Sequence, residues 1–331
     1  MKKIILTGIT PSGTPHLGNY VGAIRPTLEL QDQANVDALY FVADGHSLVK
    51  LWDPKLRQQY ILEVAASWLA LGLNPDKVTF YRQSHIPEIF ELAWILTSVT
   101  SKGLMNRAHA YKDAALKNTE EGDTDADNGI TMGLFCYPIL MTADILLFNA
   151  DQVPVGRDQI QHLEMARDIA ARYNHLYGKH FTLPEALIDD NVATLPGLDG
   201  RKMSKSYQNT IPLFATSSEL KKLIMKIKTN SLMPGEPKDS KDCPLFTIYS
   251  AFASKPEIEV YQQAYLDGIA WGDAKAKLFE LLDAKLAAPR ERYQHLMAHP
   301  DEVNVILAAG ALKARQRVSD FMNQLKTDLG F

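Results

Sequence analysis

The chain has 331 residues, 46% of them hydrophobic and 22% charged, an ordinary composition for a globular protein with room for one large domain and a smaller one. Its two cysteines, Cys136 and Cys243, exclude a disulfide framework, a four-cysteine structural zinc site and an iron–sulfur cluster, and no run of 18 apolar residues exists to span a membrane. The net charge of −4 is unevenly spread: residues 1–200 hold 16 Lys and Arg against 24 Asp and Glu, whereas residues 201–331 hold 19 against 15. A basic C-terminal third on an acidic body suggests that an anionic partner touches the C-terminal part. The opening MKKIILTG has an apolar run too short for a signal-peptide core, so a reducing cytoplasm is the expected setting.

The first predicted strand, KKIILTG, opens into a turn-rich loop holding Gly8, Thr10, Pro11, Ser12, Gly13 and Pro15, and then His16-Leu17-Gly18-Asn19 leads into a helix pattern. A strand, a glycine-rich turn and a helix start bring backbone N–H groups close to phosphates, although the same residues also make a plain tight turn. Neither the dinucleotide fingerprint nor a P-loop is present. Strands ALYFVADGH and VTFYRQS follow, alternating with helices near 18–33, 54–72 and 88–99. This is the βαβ rhythm of an α/β fold with a parallel sheet. The loops Gly8–Gly18, Asp44-Gly45-His46 and Gln83-Ser84-His85 all fall at strand carboxyl ends and converge on one crevice.

Residues 118–130 carry alternating aspartates, but Asn128 and Leu134 stand where a calcium loop needs glycine and glutamate, so a mobile solvated loop is expected. YPILMTADILLF, residues 137–148, reads as a buried helix entered through Pro138. DQVPVG gives a short strand or turn, and an amphipathic helix then runs to about Asn174. From about 207 the pattern is helical to the end. In LPGLDGRKMSKSYQN, Lys202 and Lys205 sit on a flexible loop with Met203, Ser204 and Ser206. Two such lysines suit a triphosphate as its charge moves onto a leaving pyrophosphate, and the bland alternative is an exposed basic turn.

PSGTPHLGN and KMSKS, in that order around a βαβ body, resemble the two signatures of class I aminoacyl-tRNA synthetases. YPILMTADILLF followed by QVPVGRDQIQHLEMARDIAARYN resembles the tryptophanyl-tRNA synthetases among them. The resemblance implies a Rossmann-type catalytic domain over 1–206 with an insertion near 100–130, and an all-helical domain over 207–331 for the tRNA anticodon region. It implies ATP with Mg2+, L-tryptophan and tRNA(Trp) as partners, a homodimer, and no membrane association.

Tyr137, Met141 and Asp144 stand at i, i+4 and i+7 on one helix face, where Asp144 can accept an indole N–H while Met141 packs on the ring. By the resemblance, Leu6, Gly8, His46, Ile145, Val153, Val155 and Gln159 complete the substrate site with them. ATP falls to Thr10, Pro11, Ser12, Gly13, His16, Gly18, Asn19, Gly156 and Asp158 with Lys202, Met203, Ser204 and Lys205, and Ser204 and Lys112 join Lys202 and Lys205 in catalysis. Thr10 and Leu6 depart from the glutamine and the aromatic common in relatives. His162 and His175 are expected to be surface or packing histidines. Lys313, Arg315 and Arg317 are candidates for RNA phosphates or for a plain solvated face.

Overall fold

The structure, a computed structural model, describes residues 2–188 and 194–331, and the side chain of Asp158 lies outside that description. β1 (Lys3–Ile9) leads through the glycine-rich loop into α1 (Leu17–Asn19), a π-helical turn (Tyr20–Ile24) and α2 (Arg25–Leu30). β2 (Val36–Val42), α3 (Asp44–Ser47), α4 (Pro54–Ala70), β3 (Thr79–Arg82) and a 3-10 turn (Gln83–His85) follow. Then come α5 (Pro87–Val99), α6 (Lys102–Met105), α7 (His109–Glu120), α8 (Met132–Leu147), β4 (Gln152–Pro154), a 3-10 turn (Arg157–Gln159) and α9 (Ile160–Tyr177). β5 (Glu185–Leu187) closes the sheet, and after a 3-10 turn (Lys205–Tyr207) the chain is helical: α10 (Ser217–Met225), α11 (Pro244–Phe252), α12 (Lys255–Leu266), α13 (Trp271–Ala298) and α14 (Pro300–Leu329).

All strand pairs are parallel, in the order β3-β2-β1-β4-β5. The order reverses at β1, whose neighbours β2 and β4 lie on opposite sides, and such a switch point opens a crevice at the carboxyl ends of the strands. Alternation along the strands feeds two cores. Ile5, Ala38, Tyr40, Val42 and Phe80 pack on one face with α4 and the C-terminal helices, while Leu6, Leu39, Phe41 and Tyr81 pack on the other with α5, α8 and α9.

The structure revises three expectations. α8 begins at Met132, because the Thr131 side chain accepts from the Leu134 amide and caps it there, so Pro138 is interior rather than at the entrance. Residues 118–120 end α7 instead of opening a loop, and the largely exposed residues after them are hydrogen-bonded to that helix: Tyr111 Oη donates to Asp127 at 2.7 Å, and Asn118 Nδ2 donates to the carbonyls of Ala126 and Asn128 at 2.9 and 2.7 Å. The third is the face of α14 that carries Lys313, Arg315 and Arg317. Arg315 chelates Glu88 of α5 at 2.9–3.2 Å, Arg317 meets Asp37 at 2.7 Å, and Lys313 reaches the Pro75 carbonyl at 3.4 Å. These cations tie α14 to the acidic body while remaining exposed to solvent.

Candidate functional site

A cavity of about 830 Å3 opens at the carboxyl end of β1, between β2, β4, α3 and α8. Its walls include Leu6, Gly8, Thr10 and Ser12 from β1 and its loop, His46 from α3, and Tyr137, Met141, Asp144 and Ile145 from α8. Val153, Val155, Gly156 and Gln159 line the β4 side, and Lys205 reaches in from the lysine loop. The expected i, i+4, i+7 face of α8 is therefore turned to the cavity. A smaller cavity of about 450 Å3 behind Thr14 and Pro15 holds none of the residues assigned to substrate, ATP or catalysis.

At the apolar end Asp144 is 1% exposed. Its Oδ2 meets His46 Nε2 at 2.8 Å, and Gln83 Nε2 donates to Oδ1 and Oδ2 at 2.7 and 2.9 Å. Burial raises the carboxyl pKa, opposed by the hydrogen bonds of His46 and Gln83. Burial also pushes the Tyr137 phenol up to about 12, with Asp113 adding to it, and Tyr137 Oη hydrogen-bonds His162 Nε2. Of the two histidines expected on the surface or in packing, His162 is buried against Tyr137 and His175 is exposed.

At the other end His16 caps α1 reciprocally: its Nδ1 accepts from the Asn19 amide at 3.3 Å, and Asn19 Oδ1 accepts from the His16 amide at 3.0 Å. Burial first, and the Lys205 charge second, lower the His16 pKa to about 4, so the ring is neutral. Lys205 Nζ donates to the Gly13 carbonyl at 2.7 Å, and burial lowers its pKa against the attraction of Glu63. Gly13 has φ +140°, and a Cβ there would stand 3.0 Å from the Lys205 side chain, so the two loops meet where only glycine fits. The lysine loop is held by Asn209, which accepts from the Ser204 amide at 2.8 Å and donates to Asp199 at 2.7 Å; that bond leads the causes that hold Asp199 at about 2.

Not every candidate reaches the cavity. Pro11, Gly13, His16, Gly18, Asn19 and Ser204 do not line it. Lys202 is exposed, its backbone bridged to Pro196, and Met203 is packed in the core with 4% exposure. Lys112 is exposed on α7, although Ala110 of the same helix lines the cavity. The side chain of Asp158 lies outside the described residues. Gln83 and Asn209 were not named as site residues; Gln83 did fall in a loop assigned to the crevice, which was its only signal. Among the described residues, metal-ligating side chains gather as a trio only at His295, His299 and Glu302, exposed at the turn between α13 and α14 and outside this cavity.

The family model described as class I tRNA synthetases (W and Y) matches residues 2–287. The chain belongs to the class I tRNA synthetases. This synthetase is 58% identical over 329 residues to the tryptophan–tRNA ligase of Pseudomonas aeruginosa, covering 98% of this chain and 73% of that one. It is 54% identical to the tryptophan–tRNA ligase of Neisseria meningitidis, covering 99% of this chain and 98% of that one. Among solved structures, tryptophanyl-tRNA synthetase from Campylobacter jejuni, complexed with ADP and tryptophan, superposes on the synthetase with a TM-score of 0.90 at 41% identity, covering 99% of this chain and 100% of that one. The parallel sheet and helical C-terminal part thus belong to a Rossmann-type architecture shared with that structure.

Proposed function

We propose that this synthetase ligates L-tryptophan to tRNA(Trp) through a tryptophanyl-adenylate, with ATP as the second substrate. The observation that carries the reading is one cavity with a buried carboxylate, Asp144, at its apolar end and Lys205 on the Gly13 loop at its other end. An indole N–H suits Asp144, Met141 suits the ring, and the backbone N–H groups and Lys205 suit phosphates.

The substrate carboxylate attacks the α-phosphorus of ATP, forming tryptophanyl-adenylate and releasing pyrophosphate. A ribose hydroxyl of the tRNA's terminal adenosine then attacks the activated carbonyl and releases AMP. The steps ask for positioning and for charge stabilisation at the departing pyrophosphate, which Lys205 supplies by leaving the Gly13 carbonyl for the phosphates. Mg2+ enters with ATP as part of that substrate: among the described residues Asp144 is the only carboxylate lining the cavity, and it is already engaged by His46 and Gln83. The helical part after residue 206 is assigned to the tRNA.

Pyrophosphate exchange tests the reading with tryptophan and tyrosine side by side. Exchange should depend on tryptophan, and Lys205→Ala should slow it by about a hundredfold or more while tryptophan binding changes by less than about threefold. Exchange driven by tyrosine, or none, would remove the substrate assignment.

A further inference from the structure

Gln83 stands at the carboxyl end of β3 with 0% exposure. Its Oε1 accepts the Gly45 amide at 2.9 Å, which leaves Nε2 facing Asp144, where it donates to both carboxylate oxygens at 2.7 and 2.9 Å. A flipped amide would set two donors face to face at Gly45 and turn its own oxygen on the carboxylate, so the orientation is single-valued. An ionised carboxylate offers about four acceptor positions. His46 takes one on Oδ2, and Gln83 takes one on each oxygen, which leaves one on Oδ1.

We propose that Gln83 is a positioning residue for substrate choice, holding Asp144 with a single open acceptor position so that the cavity takes a ring bearing an N–H donor. The inference rests on the tryptophan reading above. Three other titratable groups bear on Asp144: His46 and Asp44 from α3, the latter paired with Arg82 at 2.6 Å, and Tyr81 from β3, whose buried hydroxyl has no hydrogen-bond partner among the described residues. Without Gln83, burial would be less opposed and Asp144 would take up a proton at higher pH. A protonated Asp144 loses the charge that strengthens its hydrogen bond to the indole N–H.

Gln83→Met keeps the length and removes the donors. In pyrophosphate exchange at pH 7 it should raise KM for tryptophan about tenfold with kcat within about twofold, the cost of a weakened charge-assisted hydrogen bond. The acid limb of kcat/KM for tryptophan should move to higher pH. For the benzothiophene analogue, in which sulfur replaces the ring N–H, the efficiency should change by less than about threefold and show no such shift. Gln83→Glu, which sets a second carboxyl beside Asp144, should move the tryptophan limb further in the same direction. Equal losses for both substrates, or an unmoved limb, would overturn the proposal and leave Gln83 a packing residue. A substrate-free readout separates this from the choice of amino acid: the 13C shift of the Asp144 carboxyl, assigned with Asp144→Asn, should titrate at higher pH in Gln83→Met. An unchanged titration overturns the proposal whichever amino acid the enzyme activates.

Discussion

His16 is a cap and a charge-free neighbour of a lysine in the same ring, and the two demands agree. A neutral Nδ1 can accept from the Asn19 amide, and a protonated ring would lose that acceptor and repel Lys205. The folded pKa is about 4 against an ordinary 6.5, so the unfolded chain binds the proton more readily. Stability from this group is therefore complete above pH 6.5 and is lost as the pH falls toward 4. His16→Asn retains a capping acceptor without the titration. Between pH 7 and 4.5 the parent protein should lose roughly 2 kcal/mol more than the variant in urea unfolding. Equal losses would mean that the ring is solvated enough to protonate in place. Residues of this kind were legible because their partners are near in sequence: His16 with Asn19, and Tyr137, Met141 and Asp144 on one helical period. Gln83 was not, since it meets Asp144 at a separation of 61 residues and no periodicity announces such a pair. Met203, assigned to ATP by the resemblance, turns its side chain into the core, where an unbranched apolar group is better placed than on an open loop.

Among the elements, α14 departs furthest from what its sequence advertised. Its Lys313, Arg315 and Arg317 read as RNA contacts or as a plain solvated face, whereas Val303 and Leu307 enter the core on one face of the sheet and Ala311, Ala314, Val318, Met322 and Leu325 enter the other. The helix passes from one to the other across β3, the outer strand on that side, at Gly310, where an added Cβ would lie 1.8 Å from the Phe80 carbonyl oxygen. Gly310→Ala must push the helix off the strand, so a destabilisation of about 3 kcal/mol or more is expected in chemical denaturation. Arg315→Ala breaks a pair whose arginine is half exposed, and should cost no more than about 1 kcal/mol. The same substitution should leave the salt slope of tRNA binding unchanged, because the side chain is already spent on Glu88. A Gly310→Ala protein as stable as the parent would show that the crossing is looser than this. Elsewhere the sheet was readable through its long apolar strands, but β5 was not: it is three residues, Glu-Ala-Leu, after a proline, with no β-branched side chain to mark it.

Taken as a whole molecule, the chain keeps apolar surface that its own folding does not use. Phe90 and Trp94, one turn apart on α5, are 40% and 73% exposed, and Trp52 is 75% exposed. These patches suit the homodimer that the resemblance implies. Light scattering should give about twice the 37.0 kDa of one chain, and Trp94→Glu should lower that mass. A parent protein that scatters as a single chain removes the dimer. The α14 crossing also bears on how the protein is made. During translation β3 and α5 leave the ribosome more than 200 residues before the helix that covers them, so the nascent chain carries a bare strand edge and unmatched Glu88 and Glu91 until synthesis is nearly done. A ribosome stalled after α13 would thus present chaperones and proteases with a sheet whose cavity is largely formed but whose flank is sticky, and quality control, rather than chemistry, would set how much of such a product survives.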